Sequence, residues 1–157
     1  MTSEEFAARA KGMMGTMYRV CYALVPSAAD REDAVQGSLE KAFAKRNTLR
    51  ELRYFDTWLV RILINECHNI TRHAAKVSLF GEIPERAALR DADSSLHDAI
   101  LALDMKLKLP IVLHYMQGYP IAEVAKMLRL PEGTIKSRMR KARELLRTML
   151  SEEGEVL

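Results

Sequence analysis

The chain has little that bends or cross-links a backbone: seven glycines, five prolines and two cysteines among 157 residues. So few turn formers, beside plentiful Ala, Leu, Arg, Lys, Glu and Met, weigh against a strand-and-turn architecture and favour an all-α fold. Two cysteines, Cys21 and Cys67, are too few for a disulfide framework. Each falls in an apolar helical pattern and reads as a small packed hydrophobe. No apolar run reaches the length that spans a bilayer. The start Met1-Thr2-Ser3-Glu4-Glu5 is acidic, unlike the basic opening of a signal peptide, so the expectation is a cytoplasmic protein.

Catalytic groupings are also lacking. The sequence pairs no nucleophile with a base and contains no phosphate-cradling glycine loop. His68 beside Cys67, with His73 five residues on, does not have the spacing of metal ligands, and His97 and His114 stand alone. An enzyme is therefore not expected, nor a metal, a cofactor or a small-molecule substrate. What the chain does have is 48% hydrophobic and 29% charged residues, enough apolar surface to fold. Its length suits one ordinary domain or two small helical ones.

Helical periodicity runs over Ser3 to Leu24, through Phe6, Met13, Met17, Val20, Cys21 and Leu24, until Val25-Pro26-Ser27 interrupts it. A second helix is expected from Asp30 to Arg46, with Ala34, Val35, Leu39, Ala42 and Phe43 inward and Asp33, Gln36, Glu40 and Lys41 on another face. After a polar stretch from Asn47 to Tyr54, a third is expected from Phe55 to Lys76, with Phe55, Trp58, Leu59, Ile62, Leu63 and Ile70 inward. Three such antiparallel helices can share one core. Gly81, Pro84 and mixed charges mark 77–93 as a flexible linker, dividing a first domain, 1–76, from a second, 94–157.

In the second domain Ser94 or Ser95 can cap a helix through Leu103, and Asp104 can cap a stretch ending at Gly118. Pro110 either kinks that stretch or opens a helix of its own. Ile121 to Leu128 then forms a short amphipathic helix with Ile121, Val124, Ala125 and Leu128 inward. The turn Arg129-Leu130-Pro131 joins it to a longer helix, Glu132 to Leu150, in the pattern of a helix-turn-helix whose second member enters a DNA groove.

On that last helix Ile135, Met139, Ala142, Leu146 and Met149 recur at spacings of three and four, facing a core. Residues 131–150 hold six cations against two anions, +4 locally, more than the +3 of the whole chain. Lys136, Ser137, Arg140 and Lys141 make a strip opposite the apolar stripe, and such donors suit guanine edges and phosphates. Arg129 stands in the turn where glycine is common, so a left-handed backbone there carries strain.

The segment YPIAEVAKMLRLPEGTIKSRMRKARELL, Tyr119 to Leu146, closely resembles region 4 of the extracytoplasmic-function sigma factors of bacterial RNA polymerase. Leu109 to Tyr115 is similar to the same region. Asp30-Arg31-Glu32-Asp33-Ala34-Val35-Gln36 resembles region 2.2, and Phe55 to Asn65 resembles regions 2.3 and 2.4. The two halves match in the right order over nearly the whole chain outside the linker.

The resemblance implies a factor that directs core RNA polymerase to specific promoters, assists DNA opening, and is held by an anti-sigma protein. It implies that Asp33, Gln36 and Glu40 dock on the polymerase. Arg50, Arg53, Asn65, Asn69 and Arg72 would meet the downstream promoter element, and residues 46–76 carry a local +3 that suits nucleic acid. Thr134, Lys136, Ser137, Arg138, Arg140, Lys141 and Arg143 would meet the upstream element. Two residues depart from the family pattern: Gly37, where Glu or Asp usually follows Gln36, and Asn69, in place of a frequent Asp. The rival readings are a conventional helix-turn-helix regulator with a dimerising or ligand-sensing front half, and an all-helical protein adaptor.

Overall fold

The computed structural model describes the backbone of residues 1–80 and 92–154 and the side chains of 1–74 and 95–151. Among the described residues all regular structure is helical: α1 (Ser3–Leu24), α2 (Ala28–Ala44), α3 (Phe55–Phe80), α4 (Ala92–Ala102), α5 (Met105–Ile111), α6 (Ile121–Leu128) and α7 (Glu132–Gly154). The chain divides into two compact units, Met1–Ile83 and Pro84–Leu157. Gly81 and Pro84, the linker signals of the sequence, lie outside the described residues.

In the first unit α1 begins with a reciprocal cap. Thr2 Oγ1 accepts from the Glu5 amide at 3.1 Å, and Glu5 Oε2 accepts from the Thr2 amide at 3.0 Å, so two amides without helical partners are satisfied. Ser27 caps α2 by accepting from the Asp30 amide, which starts the helix at Ala28, two residues before the periodicity suggested. The break between α1 and α2 is fastened by Arg31, whose Nη1 donates to the carbonyls of Val25 and Pro26 at 3.0 and 2.8 Å.

The three helices pack on one another around Met17, Val20, Leu24, Val35, Phe55, Leu59 and Leu63. Because α3 lies against both α1 and α2, its covered face is rotated from the expected stripe. Val60, Ile64 and Cys67 are buried, whereas Trp58, Ile62 and Ile70 are half-buried. Phe43, expected inside, remains 41% exposed. Its ring meets the edge of Phe6 at 5.5 Å, and the Arg46 guanidinium lies 4.1 Å from its centre. Helix α3 also runs to Phe80, four residues past the expected end.

In the second unit α4, α5 and α6 each pack on α7. Helix α4 already begins at Ala92, so Ser94 and Ser95 lie inside it rather than at its cap. Pro110 neither opens a helix nor ends one. It is buried within α5, and a π-helical turn, Val112–Met116, follows directly. Asp104 caps α5 through its backbone carbonyl, which accepts from Leu107 and Lys108, with no side-chain bond.

Met127, not Leu128, turns inward on α6 beside Val124 and Ala125; Ile121 and Leu128 are half-buried. On α7 Ile135, Met139, Ala142 and Leu146 are buried as the spacing required, and Met149 is half-buried.

Candidate nucleic-acid interface

The turn between α6 and α7 is set by Arg129, which adopts φ 56° and ψ 45°. The Arg129 amide donates to the Lys126 carbonyl and the Leu130 amide to the Ala125 carbonyl, the paired bonds of a Schellman close. An arginine thus holds the left-handed position that glycine would take without strain. Pro131 follows, and its carbonyl accepts from the Ile135 amide as α7 starts.

Burial of Ile135, Met139, Ala142 and Leu146 fixes which way the rest of α7 points. Lys136, Ser137, Arg140 and Lys141 are exposed on the opposite side. Ser137 Oγ donates to the Thr134 carbonyl at 3.1 Å, so its one hydrogen is engaged and its oxygen remains able to accept. Arg140 lies 3.7 Å from Glu144, an exposed pair that water weakens. Lys136 and Lys141 have no charged partner among the described residues.

Thr134 and Arg143 run along the edges of that strip, seven residues from Lys141 and Lys136 respectively, and Arg138 lies nearer the core stripe. Thr134 and Arg138 are half-buried and flank the core stripe on one side. Arg143 flanks it on the other, where its Nη1 donates to the Tyr115 hydroxyl at 2.8 Å and its guanidinium lies 5.9 Å from the Tyr115 ring centre. Tyr115, on the π-helical turn, gave no sign of this role in the sequence, since the partners are far apart along the chain.

In the first unit α3 brings Asn65, Asn69 and Arg72 together along one open cleft of about 560 Å³. His68 also lines it. The four residues recur at three, four and seven positions, one helix face, so the spacing that dismissed His68 as a metal ligand could have found it here. Arg72 Nη2 donates to Asn69 Oδ1 at 3.0 Å, a contact that holds both heads at the cleft wall. The cleft therefore offers amide, imidazole and guanidinium groups to a hydrogen-bonding ligand.

Arg50 and Arg53 do not line that cleft. They stand exposed on the segment between α2 and α3, which is shaped by two 3₁₀ turns, Arg46–Thr48 and Leu52–Tyr54. Arg53 donates to Glu51 at 2.6 Å and lies 4.8 Å from the Tyr54 ring centre.

On α2 the side chains of Asp33, Gln36 and Glu40 are all exposed along one side, and Gln36 Nε2 reaches Glu40 Oε1 at 3.5 Å. Gly37 lies on the same side. A Cβ built there would stand 3.0 Å from Glu66 Oε2 of α3, so the glycine leaves room for that carboxylate. Glu66 Oε1 accepts from Lys41 Nζ. The sequence placed Lys41 on the polar face of α2 but gave no sign of its pairing with Glu66.

Residues 93–146 match the family model described as Sigma-70, region 4, and residues 13–77 match that described as Sigma-70 region 2. The RNA polymerase sigma-H factor of Pseudomonas aeruginosa is 30% identical over 145 residues, covering 78% of this chain and 74% of that protein. The ECF RNA polymerase sigma factor SigM of Mycobacterium tuberculosis is 29% identical over 139 residues, covering 85% of this chain and 71% of that one.

Among solved structures, the sigma factor RpoE of Bartonella quintana, in complex with the anti-sigma factor NepR, matches with a TM-score of 0.78 at 23% identity, over 94% of this chain and 98% of the other. That last likeness is one of fold. With region 2 in front of region 4, and with sigma factors similar over most of its length, the chain belongs to the sigma-70 family and is an RNA polymerase sigma factor of the extracytoplasmic-function type.

Proposed function

We propose that this sigma factor reads promoters with two separate surfaces and grips the polymerase with a third. The outward strip Lys136, Ser137, Arg140 and Lys141 on α7 carries the reading: cationic donors stand on the helix that follows a tight helix-turn-helix turn, opposite a buried stripe. That strip enters the groove of the upstream element, contacting base edges and phosphates. Thr134, Arg138 and Arg143 border it, where phosphate contact suits them better than base contact.

Asn65, Asn69 and Arg72 of the α3 cleft receive the downstream element as the duplex opens, with Arg50 and Arg53 following its phosphates. Asp33, Gln36 and Glu40 dock on core RNA polymerase, where an acidic, hydrogen-bonding face meets a basic surface.

The working domains are 1–76 and 94–157, joined by 77–93, into whose two ends α3 and α4 continue. The Bartonella structure, a sigma factor in complex with an anti-sigma factor, supports an anti-sigma protein as a further partner of this chain. No helix among the described residues is long and apolar enough to cross a membrane, and the chain works in the cytoplasm beside the polymerase. It is an initiation factor and leaves catalysis to the polymerase.

Reconstitution tests the reading. The purified chain is added to sigma-free bacterial core polymerase with fragmented genomic DNA, and transcript starts are mapped. Starts that depend on the chain and share upstream and downstream elements are expected; no chain-dependent start overturns it.

A further inference from the structure

Helix α2 carries two cations, Arg31 and Lys41. Arg31 is turned back onto the carbonyls of Val25 and Pro26, with its guanidinium 5.2 Å from the Tyr22 ring centre. Lys41 is the cation that borders the side of α2 bearing Asp33, Gln36 and Glu40, one turn beyond Gly37. Left alone it would offset one of the two negative charges that Asp33 and Glu40 present. It is not left alone, since Glu66 reaches across from α3 and accepts from its ammonium.

The geometry of that reach is specific. The Glu66 side chain is 13% exposed, against 54% for Lys41, so the carboxylate lies beneath the ammonium rather than beside it in solvent. Its second oxygen, Oε2, fills the space over Gly37 that a Cβ would enter. A glycine inside a helix costs about 1 kcal/mol relative to alanine. Here the bare backbone opens the slot through which a charge from α3 reaches the surface of α2.

We infer that Glu66 is a positioning residue for polymerase docking: by neutralising Lys41 it leaves both negative charges of the Asp33–Gln36–Glu40 face unopposed toward a basic polymerase surface. The inference rests on the docking role proposed above for that face. Glu66 need not touch the polymerase; it acts by cancelling the charge that would repel it.

Binding of the full chain to bacterial core RNA polymerase, followed by fluorescence anisotropy over a salt series, tests this. Glu66→Gln, which keeps the shape and removes the charge, weakens binding about five-fold at low salt, an effect that shrinks as salt is raised. Lys41→Met, which keeps the apolar stem, tightens binding about two-fold on its own. Combined with Glu66→Gln it restores at least wild-type affinity.

A double variant as weak as Glu66→Gln alone overturns the inference, because Glu66 would then only brace α2 against α3. So does weaker binding by Lys41→Met, a test at an exposed position that holds even if Glu66→Gln fails to fold. Asp33→Ala with Gln36→Ala separates the two levels. If that pair weakens binding and the Glu66 and Lys41 variants do not, only the charge-cancelling role fails. If that pair changes nothing, the docking face itself fails.

Discussion

Cys21 Sγ and Cys67 Sγ lie 3.7 Å apart, both residues fully buried, and join α1 to α3 inside the first bundle. The periodicity identified each thiol as a core group but did not bring the two together. Two sulfurs in contact behave as polarizable apolar surface, so their replacement is a packing question. Cys67→Ala leaves a small void and costs about 1 kcal/mol. Cys67→Ser puts a hydroxyl into the same apolar contact and costs about 1–3 kcal/mol. Urea unfolding of the two variants checks the order, and a serine variant as stable as the alanine one refutes it.

Arg129 holds a left-handed backbone with its side chain in solvent, so its cost is conformational and no packing contact depends on it. Arg129→Gly removes the Cβ conflict and raises stability by about 0.5–1 kcal/mol, net of the extra freedom glycine gains in the unfolded chain. Arg129→Ala keeps the conflict and brings no gain. The measurement is the unfolding midpoint of the three chains; equal midpoints for glycine and alanine would show that the turn stores no strain.

The contrast between these two sites explains what was legible. Ile135, Met139, Ala142 and Leu146 were readable because one helix packed on one side obeys its own period. Arg129 was readable because a helix-turn-helix turn imposes its backbone locally. The Arg143–Tyr115 bond and the Lys41–Glu66 pair were not, since each joins residues on different helices whose register only packing decides. Phe43 misled because it sits at the margin of the stripe: the bundle meets its ring only at Phe6, and Arg46 lies over the part that stays exposed. Of the cleft, Asn65, Asn69 and Arg72 came from family resemblance, and His68 was lost by asking only whether it could bind a metal.

Tyr18 donates its hydroxyl to Glu32 Oε2 at 3.0 Å, linking α1 to α2. The bond to a carboxylate, with some burial and the repulsion of a second negative charge, holds the phenol above the usual tyrosine range. A raised value means that the folded state favours the protonated phenol. The contribution is therefore complete below the ordinary tyrosine pKa and is lost as pH rises through the folded value. Tyrosinate absorbance of the wild type and of Glu32→Gln checks it: the variant releases one phenol at lower pH. Superimposable titrations would show that the contact does not persist in solution.

The role proposed for the α3 cleft separates two steps of promoter use. Asn65, His68, Asn69 and Arg72 line it in the first unit, whereas the α7 strip belongs to the second. His68→Ala and Asn69→Ala are each expected to reduce promoter opening about ten-fold, by removing one or two hydrogen bonds to unstacked bases. Neither changes affinity of the chain for an upstream-element duplex. Permanganate reactivity of the open promoter reads the first quantity and gel shift the second. Loss of both together would point to misfolding, and loss of neither would remove the cleft from the site.

Cations on α7 should not contribute equally, because the structure gives them different surroundings. Arg140 and Lys141 are exposed, and the salt bridge of Arg140 with Glu144 is weak and open to water. Arg143 is already engaged by the Tyr115 hydroxyl, so part of its capacity is spent within the protein. Arg140→Ala and Lys141→Ala should each weaken duplex binding and each lower the slope of log affinity against log salt by about one. Arg143→Ala should change that slope less and instead destabilise the second unit by about 0.5–1.5 kcal/mol, the worth of an ordinary hydrogen bond.

Tyr115→Phe sharpens the distinction. It deletes the same hydrogen bond while leaving the guanidinium in place, so it reproduces the loss of stability without lowering the salt slope. Salt titrations of binding and urea unfolding on this set give the answer. If Arg143→Ala lowers the slope as much as Arg140→Ala while Tyr115→Phe costs no stability, Arg143 serves the phosphate backbone after all, and its contact with Tyr115 is incidental.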